Sequence, residues 1–466
     1  MWAAPVGARL LIERSGGQDG PGVASAKGLS MIVEEDGPAG GRTSGVGRGE
    51  RHRPAVPGTR EFVAVVAGCV AMAAISIDLL LPAFADIRAE YGLAADSTAP
   101  SRLITSFFLG LAVGQLVYGP LSDRLGRKPM LYAGLTVYVV GALGAVLAPT
   151  FTALVACRFL WGLGAAAPRS LAVAMVRDSY SGERMARTMS HVMATFILVP
   201  VFAPTVGAGA IALAPWRVVF WIPMVAAVLV GLWSLRLPET LPPERRRSVS
   251  PRALTEAVRV VVTTRETFAF GLAVTALFGI MTGFVGGAEM LFDDVFGQRD
   301  LFPLLFGIIA CMLGAGNVLS GRLVMRLGLD RLVRFGACYV VATSVVFVAL
   351  VLATDGRPPL WSFVLSVALF LPGAMALVPS CNTAAMAPVP HVAGMAAAIL
   401  GALSTGGGAL LGSVVDSAFD GTVRPFALWT FGYAVAAALA ILVLARRVEP
   451  TPDPTWADDE PVATAT

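Results

Sequence analysis

The stretch "GPLSDRLGRKP", residues 119–129, places four charged side chains between two long runs that contain almost none. The same contrast holds for the whole chain of 466 residues, which is 56% hydrophobic and only 14% charged. A soluble domain has about 25% charged residues. The composition therefore excludes a soluble fold and predicts that this short charged segment ends one membrane crossing and begins the next.

Apolar runs like the two beside this stretch recur along the chain, and each is long enough to cross a hydrocarbon core of about 30 Å. Lipid offers no partner for free backbone groups, so each run must be a helix. The sequence predicts an all-α membrane protein with twelve transmembrane helices. Spans 1 to 12 are predicted at about residues 62–84, 103–121, 129–148, 152–174, 188–213, 216–235, 267–289, 303–321, 332–353, 360–382, 392–414 and 426–445.

The longest interruption follows span 6, so the spans divide into two sets of six. Lys and Arg concentrate beside both termini and in the loops after the even-numbered spans, which predicts that this face and both termini are cytoplasmic in the cell membrane. The predicted domains are a disordered tail (1–58), a first six-helix half (59–235), a linker (236–266), a second half (267–446) and a second disordered tail (447–466).

Positive charge beside a membrane span anchors its orientation, which explains the basic residues of the quoted stretch. Orientation does not explain Asp123. Orientation also does not explain the two glycines of the stretch. Gly119 suits close contact between helices, and Gly126 suits a tight turn.

The pattern G-x-L-x-D-R-x-G-R-K closely resembles the signature loop of the major facilitator superfamily. The matching residues are Gly119, Leu121, Asp123, Arg124, Gly126, Arg127 and Lys128. The resemblance implies two pseudo-symmetric six-helix halves, which this loop latches together when the central cavity faces outward. It further implies that Asp123 lies near the first turn of span 11 and that Arg127 pairs with Asp178.

A weaker copy of the loop, "GRLVMRLGLDR" at residues 321–331, lies between spans 8 and 9. Two such loops six helices apart indicate an internal repeat. Met325 stands where the acid would be, so a matching latch in the second half is not predicted.

Three further stretches, "SIDLLLPAFADI" (76–87), "RFLWGLGAAAPRSLAVAMVRD" (158–178) and "LVPVFAPTVGAGA" (198–210), resemble drug:proton antiporters of the bicyclomycin-resistance (Bcr/CflA) type. This resemblance implies secondary active efflux of small hydrophobic or amphipathic compounds, antibiotics among them, in exchange for protons by alternating access. The proton gradient would be the energy source, with no bound cofactor and no metal.

Two opposite charges are predicted at similar depth inside the membrane. Asp78 lies about 24 Å above the predicted start of span 1, and Arg158 of span 4 lies at about 21 Å, at 1.5 Å per residue. A charge inside the bilayer is costly and normally faces water or a partner. Our hypothesis is that Asp78 binds the coupling proton while Arg158 modulates it. The alternatives are a static pair, or two side chains that reach the outer interface.

Other residues of the spans are weaker candidates. Trp161 replaces a Gln that is common in the resembled span 4 motif, and Arg169 is expected to extend toward the cytoplasm. Glu289 is expected at the outer interface, within reach of the cavity. Possible cavity residues are Trp161, Arg169, Glu289 and Asn382. The span 5 motif, which in the resembled antiporters is thought to seal the cavity against leak, comprises Pro200, Pro204, Gly207 and Gly209.

A metabolite or sugar symporter is the alternative within transport, but its cavity would need more polar groups than these spans contain. A membrane-embedded enzyme would need a cluster of His, Asp or Ser side chains at one interface, and the sequence has none. The expected partners are a small-molecule substrate, protons and the lipid bilayer. Nucleic-acid binding is not expected, because no basic folded domain is present, and the protein is expected to act as a monomer.

Overall fold

The computed structural model describes residues 59–246 and 251–445. The two predicted tails, 1–58 and 447–466, lie outside this part of the chain, so their predicted disorder stays a prediction.

Helices account for all of the regular secondary structure in the described residues. Eleven are long and apolar enough to cross a membrane, and Val218–Ser234 is a shorter apolar helix in the position of span 6. The twelve spans are Arg60–Glu90, Ser101–Leu125, Arg127–Leu147, Phe151–Ser179, Gly182–Leu213, Val218–Ser234, Arg265–Val295, Phe302–Leu327, Leu329–Ala353, Leu360–Met386, Pro390–Ser417 and Arg424–Leu444. The predicted fold class and number of spans are confirmed.

Three local features depart from a plain series of straight helices. Span 1 consists of a helix, Thr59–Asp78, a short turn, and a second helix, Phe84–Glu90. Span 11 is interrupted by a π-helical turn, Leu403–Gly407. The linker between the halves contains a helix that the sequence analysis did not predict, Pro251–Thr263.

Glycines allow spans 2 and 4 to approach backbone to backbone. A Cβ atom added at Gly162 would overlap the carbonyl group of Phe107, and one added at Gly110 would overlap that of Phe159. Lipid supplies little hydrophobic driving force between helices, so small residues that allow close van der Waals contact hold such pairs together. The first half is therefore packed around glycine contacts.

The two halves meet mainly along two pairs of spans, 2 with 11 and 5 with 8, with smaller contacts of span 7 with spans 1 and 2. Gly307 of span 8 allows a close backbone approach in the second pair, because an added Cβ would lie 2.8 Å from the carbonyl oxygen of Val201. In the first pair, the Gln115 amide donates to the Thr405 hydroxyl at 3.4 Å, beside the π-helical turn. The arrangement agrees with two related six-helix units.

We call the end of the bundle that carries residues 122–128 the loop side, and the opposite end the far side. On the far side, the Arg88 guanidinium joins the halves by donating to both carboxylate oxygens of Glu289, at 3.0 and 2.8 Å. Both residues are buried. The expectation that Glu289 is an exposed interfacial charge is wrong, because docking of the halves removes it from solvent.

The helix that carries Arg88 is fixed to the first half at its end. The Glu90 carboxylate accepts hydrogen bonds from the Trp216 indole and the Arg217 guanidinium. The neighbouring Tyr91 hydroxyl donates to the carbonyl of Ala148 at 3.0 Å, and burial raises the pKa of Tyr91, which keeps it a donor. These bonds hold Arg88 in position to face Glu289.

We predict that Gly162→Ala destabilises the protein by about 1–3 kcal/mol, because the added methyl group forces spans 2 and 4 apart. The matched control is Gly432→Ala on span 12, where an added Cβ meets nothing within 4 Å. Thermal unfolding of the purified protein would show a lower Tm for the first variant only. Equal melting of the two variants would contradict the packing argument.

We predict that Arg88→Met or Glu289→Met alone costs about 3–5 kcal/mol, because each leaves one buried charge without its partner. The double variant should recover most of that loss, since an apolar pair leaves no charge to be solvated. The measurement is thermal unfolding of the four proteins. A double variant whose loss equals the sum of the two single losses would show that the two side chains are not coupled.

Candidate functional site

A cavity of about 860 Å³ lies between the halves and reaches the helix ends of the loop side. Spans 1 to 5 supply one wall, and residues 391–398 at the start of span 11 supply the opposite wall. Its volume lies within the range of small-molecule binding pockets. A separate far-side cavity of about 290 Å³ is lined by Glu289, so the expected cavity role of this residue applies to that smaller space.

The signature loop lies at the mouth of the larger cavity and is organised around Arg127. Its guanidinium donates to Asp178 at 2.9 Å and to Asp123 and Ser122 at 2.7 Å each. The pair of Arg127 with Asp178, which the resemblance implied, is present. Asp123 and the first residues of span 11 line opposite walls of the cavity, and the Asp123 carboxylate bonds to Arg127 within its own half.

The turn between spans 2 and 3 depends on Gly126, which adopts a φ of 106° that favours glycine. Glu239, from "LPETL", accepts hydrogen bonds at 3.0 Å from the backbone N–H groups of Arg127 and Lys128. A carboxylate is favourable at a helix N-terminus, so Glu239 stabilises the start of span 3. The sequence motif alone does not predict this role of Glu239.

The remaining residues of the loop make simpler contacts. Arg124 is exposed, and the Lys128 ammonium donates to the carbonyl of Leu235 at 3.2 Å. An added Cβ at Gly119 would meet nothing within 4 Å. The expected role of Gly119 in close helix contact is therefore wrong, because this glycine faces the cavity.

The loop between spans 8 and 9 repeats the backbone of the signature loop without its acid. Gly328 has a φ of 78°, in the same left-handed region as Gly126. Met325 is exposed, and the nearest ion pair instead joins Arg334 to Asp330 within span 9, at 3.0 Å. The turn is thus retained in the second half, but its charges are arranged differently.

Asp78 ends the first helix of span 1 and is only 5% exposed. Within residues 59–246 and 251–445, its carboxyl group forms no hydrogen bond or ion pair. It lies beside the contact between spans 1 and 5, where an added Cβ at Gly207 would come within 2.6 Å of the carbonyl oxygen of Leu79. Asp78 is thus a buried carboxyl group at a break in a membrane helix.

Arg158 is completely buried and is held by carbonyl groups and aromatic rings. It donates to the carbonyl oxygens of Ser76 at 3.0 Å and Leu103 at 3.3 Å. Its guanidinium lies 4.6 Å from the ring centre of Phe107 and 4.9 Å from that of Trp161, distances typical of cation–π contact. In the described part of the chain Arg158 forms no ion pair with Asp78, so the direct facing of these two charges is not observed.

Among the other cavity candidates, only Arg169 lines the larger cavity. Trp161 is buried in the first half, with its ring centre 5.5 Å from those of Tyr138 and Phe220. Asn382 is half-buried in span 10. The expected cavity positions of Trp161 and Asn382 are therefore wrong for this conformation, because neither side chain is among those that line either cavity.

The span 5 motif forms part of one continuous helix, Gly182–Leu213, that includes both Pro200 and Pro204. Gly207 packs closely against span 1, whereas an added Cβ at Gly209 would meet nothing within 4 Å. Only one of the two glycines is thus required by close contact. The leak-sealing role of the motif stays a prediction.

One buried acid that the sequence pattern does not predict, Asp416, lies near the far-side end of span 11. It is 4% exposed, and within the described residues its Oδ1 atom has no hydrogen-bond partner. Gly286 and Gly287 of span 7 leave the space that its carboxyl group occupies. A carboxyl group inside the predicted apolar run 392–414 would count as a candidate site residue, but Asp416 lies two residues beyond that boundary.

Comparison with known proteins agrees with this geometry. The family model described as Major Facilitator Superfamily matches residues 66–413. The chain is 31% identical over 380 residues to an uncharacterized MFS-type transporter, YdgK, of Bacillus subtilis, covering 80% of this chain and 92% of that protein. It is 27% identical over 380 residues to the bicyclomycin resistance protein homolog of Haemophilus influenzae, with the same two coverages.

Among solved structures, a D-xylose-proton symporter shares the fold with a TM-score of 0.66 and 17% sequence identity, covering 84% of this chain and 98% of that one. At this identity the likeness shows the fold alone. The family match and the Bacillus subtilis relative show membership of the family, and they confirm the resemblance seen in the signature loop. The chain belongs to the major facilitator superfamily, whose members are membrane transporters of small molecules and not enzymes.

Proposed function

We propose that this transporter exports small hydrophobic or amphipathic compounds, antibiotics among them, in exchange for protons. Alternating access of the two halves would expose one binding cavity to each side of the membrane in turn. The relative named for bicyclomycin resistance supports export of this compound class. We further propose that one chain is the functional unit, since each chain contains a complete pair of halves.

The observation that carries the proposal is the larger cavity between the halves. It is open on the loop side, and on the far side the ion pair of Arg88 with Glu289 joins the halves. Most of its wall is apolar, with alanine, valine, leucine and methionine side chains from both halves. Such a wall favours hydrophobic compounds over sugars, whose hydroxyl groups need hydrogen-bonding partners.

We place the protein in the cytoplasmic membrane, with its loop side facing the cytoplasm. The basic residues of the signature loop and of the loop between spans 8 and 9 lie on this side, as the positive-inside tendency requires. With this orientation, the described conformation accepts substrate from the cytoplasm. Breaking the contact of Arg88 with Glu289 would be needed to release substrate outside.

We assign the coupling proton to Asp78. This carboxyl group is buried at the break in span 1 and has no cation beside it within the described residues, so its charged form is costly there. A proton removes that cost. Arg158 acts on it through the backbone, because the guanidinium holds the carbonyl of Ser76, two residues before Asp78.

The proposed function is tested with the full chain in everted membrane vesicles. A panel of hydrophobic antibiotics is added with and without an imposed pH gradient, and accumulation inside the vesicles is measured. We expect accumulation that requires both the protein and the gradient. Accumulation that is equally fast without the gradient would overturn proton exchange, and failure of every compound to accumulate would overturn export of this class.

We predict that Asp78→Asn reduces gradient-driven accumulation to the level of vesicles without the transporter, because an amide cannot carry the proton. Exchange of labelled for unlabelled substrate without a gradient should persist, since it needs no proton movement. Asp78→Glu should retain part of the coupled transport. The measurement is the initial rate of uptake in each mode.

The matched control is Asp416→Asn, which changes the other buried carboxyl group that lacks a full set of partners. We expect this variant to keep gradient-driven accumulation. If Asp416→Asn abolished coupling while Asp78→Asn retained it, the coupling proton would be assigned to Asp416 of span 11 and not to Asp78 of span 1.

A further inference from the structure

Among the described residues, Arg169 is the one charged side chain that lies deep on the wall of the larger cavity. It is ten residues from Ser179, the last residue of span 4, which is about 15 Å at 1.5 Å per residue. That depth is about half of the hydrocarbon thickness. Its side chain is half-buried and lines the cavity, so it does not extend to the helix ends as the sequence analysis expected.

The guanidinium of Arg169 has no ion pair or hydrogen bond within the described part of the chain. At the cavity mouth, in contrast, the acidic side chains form ion pairs. Arg127 bonds to both Asp123 and Asp178, and Arg177 is exposed near the end of span 4. Among the described residues, the only acids that line the cavity, Asp123 and Asp178, are therefore already engaged by another arginine.

The surroundings of Arg169 are mostly apolar. Val70 of span 1, Ala166 of span 4 and Ala398 of span 11 line the same cavity. The adjacent Ser170 hydroxyl donates to the carbonyl of Ala166 at 2.6 Å, so its proton is engaged within the helix. A ligand at this depth would meet these hydrophobic side chains and the Arg169 guanidinium, whereas the other arginines that line the cavity, Arg127 and Arg177, lie nearer its mouth.

We propose that Arg169 binds the anionic group of amphipathic substrates, a carboxylate or sulfonate, and makes the transporter prefer acidic amphiphiles to uncharged ones. The guanidinium offers a planar fork of N–H donors that matches such groups. Walls of low dielectric strengthen the attraction relative to bulk water. The proposal rests on the proposed function only in taking this cavity as the substrate route.

The test is equilibrium binding to the purified full chain in phosphatidylcholine nanodiscs. The probes are anilinonaphthalene sulfonate and phenylnaphthylamine, two fluorescent compounds that share an aromatic skeleton and differ in the sulfonate. Fluorescence with empty nanodiscs is subtracted. We expect the unaltered protein to bind the sulfonate more tightly than the uncharged amine.

The decisive variant is Arg169→Gln. We expect about a tenfold or greater loss of sulfonate affinity, as for removal of one charge-assisted contact, with the affinity for phenylnaphthylamine unchanged. Arg169→Lys should retain most of the sulfonate binding. The matched control is Arg322→Gln, which removes an exposed positive charge on the loop side away from the cavity, and it should bind both probes as the unaltered protein does.

Unchanged sulfonate affinity in Arg169→Gln, or an equal loss for both probes, would overturn the proposal. If that variant does not fold, the unaltered protein still decides, because equal or weaker binding of the sulfonate would also overturn it. The assay uses no gradient, so its outcome is independent of proton coupling. A transporter that binds acidic amphiphiles without proton exchange would refute the proposed function and leave the role of Arg169 intact.

Discussion

A charged side chain inside a bilayer must have a partner, an aromatic face or water, and this constraint explains the arrangement of charge in the protein. Arg158 has carbonyl groups and aromatic rings, and Arg88 and Glu289 have each other. Arg169 has the space of the cavity. Asp78 is buried and has no hydrogen-bond or ion-pair partner in the described residues. For such a carboxyl group, binding a proton removes the cost of the buried charge.

Features that depend on local sequence could be predicted, and features that depend on docking of the halves could not. The spans follow from the length of apolar runs, and the turn at Gly126 follows from the charged loop between two spans. The ion pair of Arg88 with Glu289 joins residues 201 positions apart, and each has other charged residues near it in the sequence, so several pairings are open. Only the packing of spans 1 and 7 selects this pair.

The glycine-rich run at residues 404–413 shows the same limit in span 11. Small residues allow close helix packing, and Gly408 and Gly412 of this run pack against span 7. Composition does not predict the π-helical turn at Leu403–Gly407 or its hydrogen bond to Gln115 of the first half. A π-helical turn adds a residue to one helical turn and often marks a functional position. Here it lies where the halves meet.

The bonds of Arg158 suggest how a change at Asp78 reaches the cavity. Arg158 joins span 4 to the carbonyl groups of Ser76 in span 1 and Leu103 in span 2. Span 4 also carries Arg169 on the cavity wall and Asp178 at its mouth. Any movement of the break in span 1 that follows protonation must either keep the Ser76 contact and displace span 4, or break it and leave a buried guanidinium short of acceptors. The second outcome is costly, so the first is favoured. Under the proposed function, this displacement of span 4 would carry the effect of protonation to the cavity.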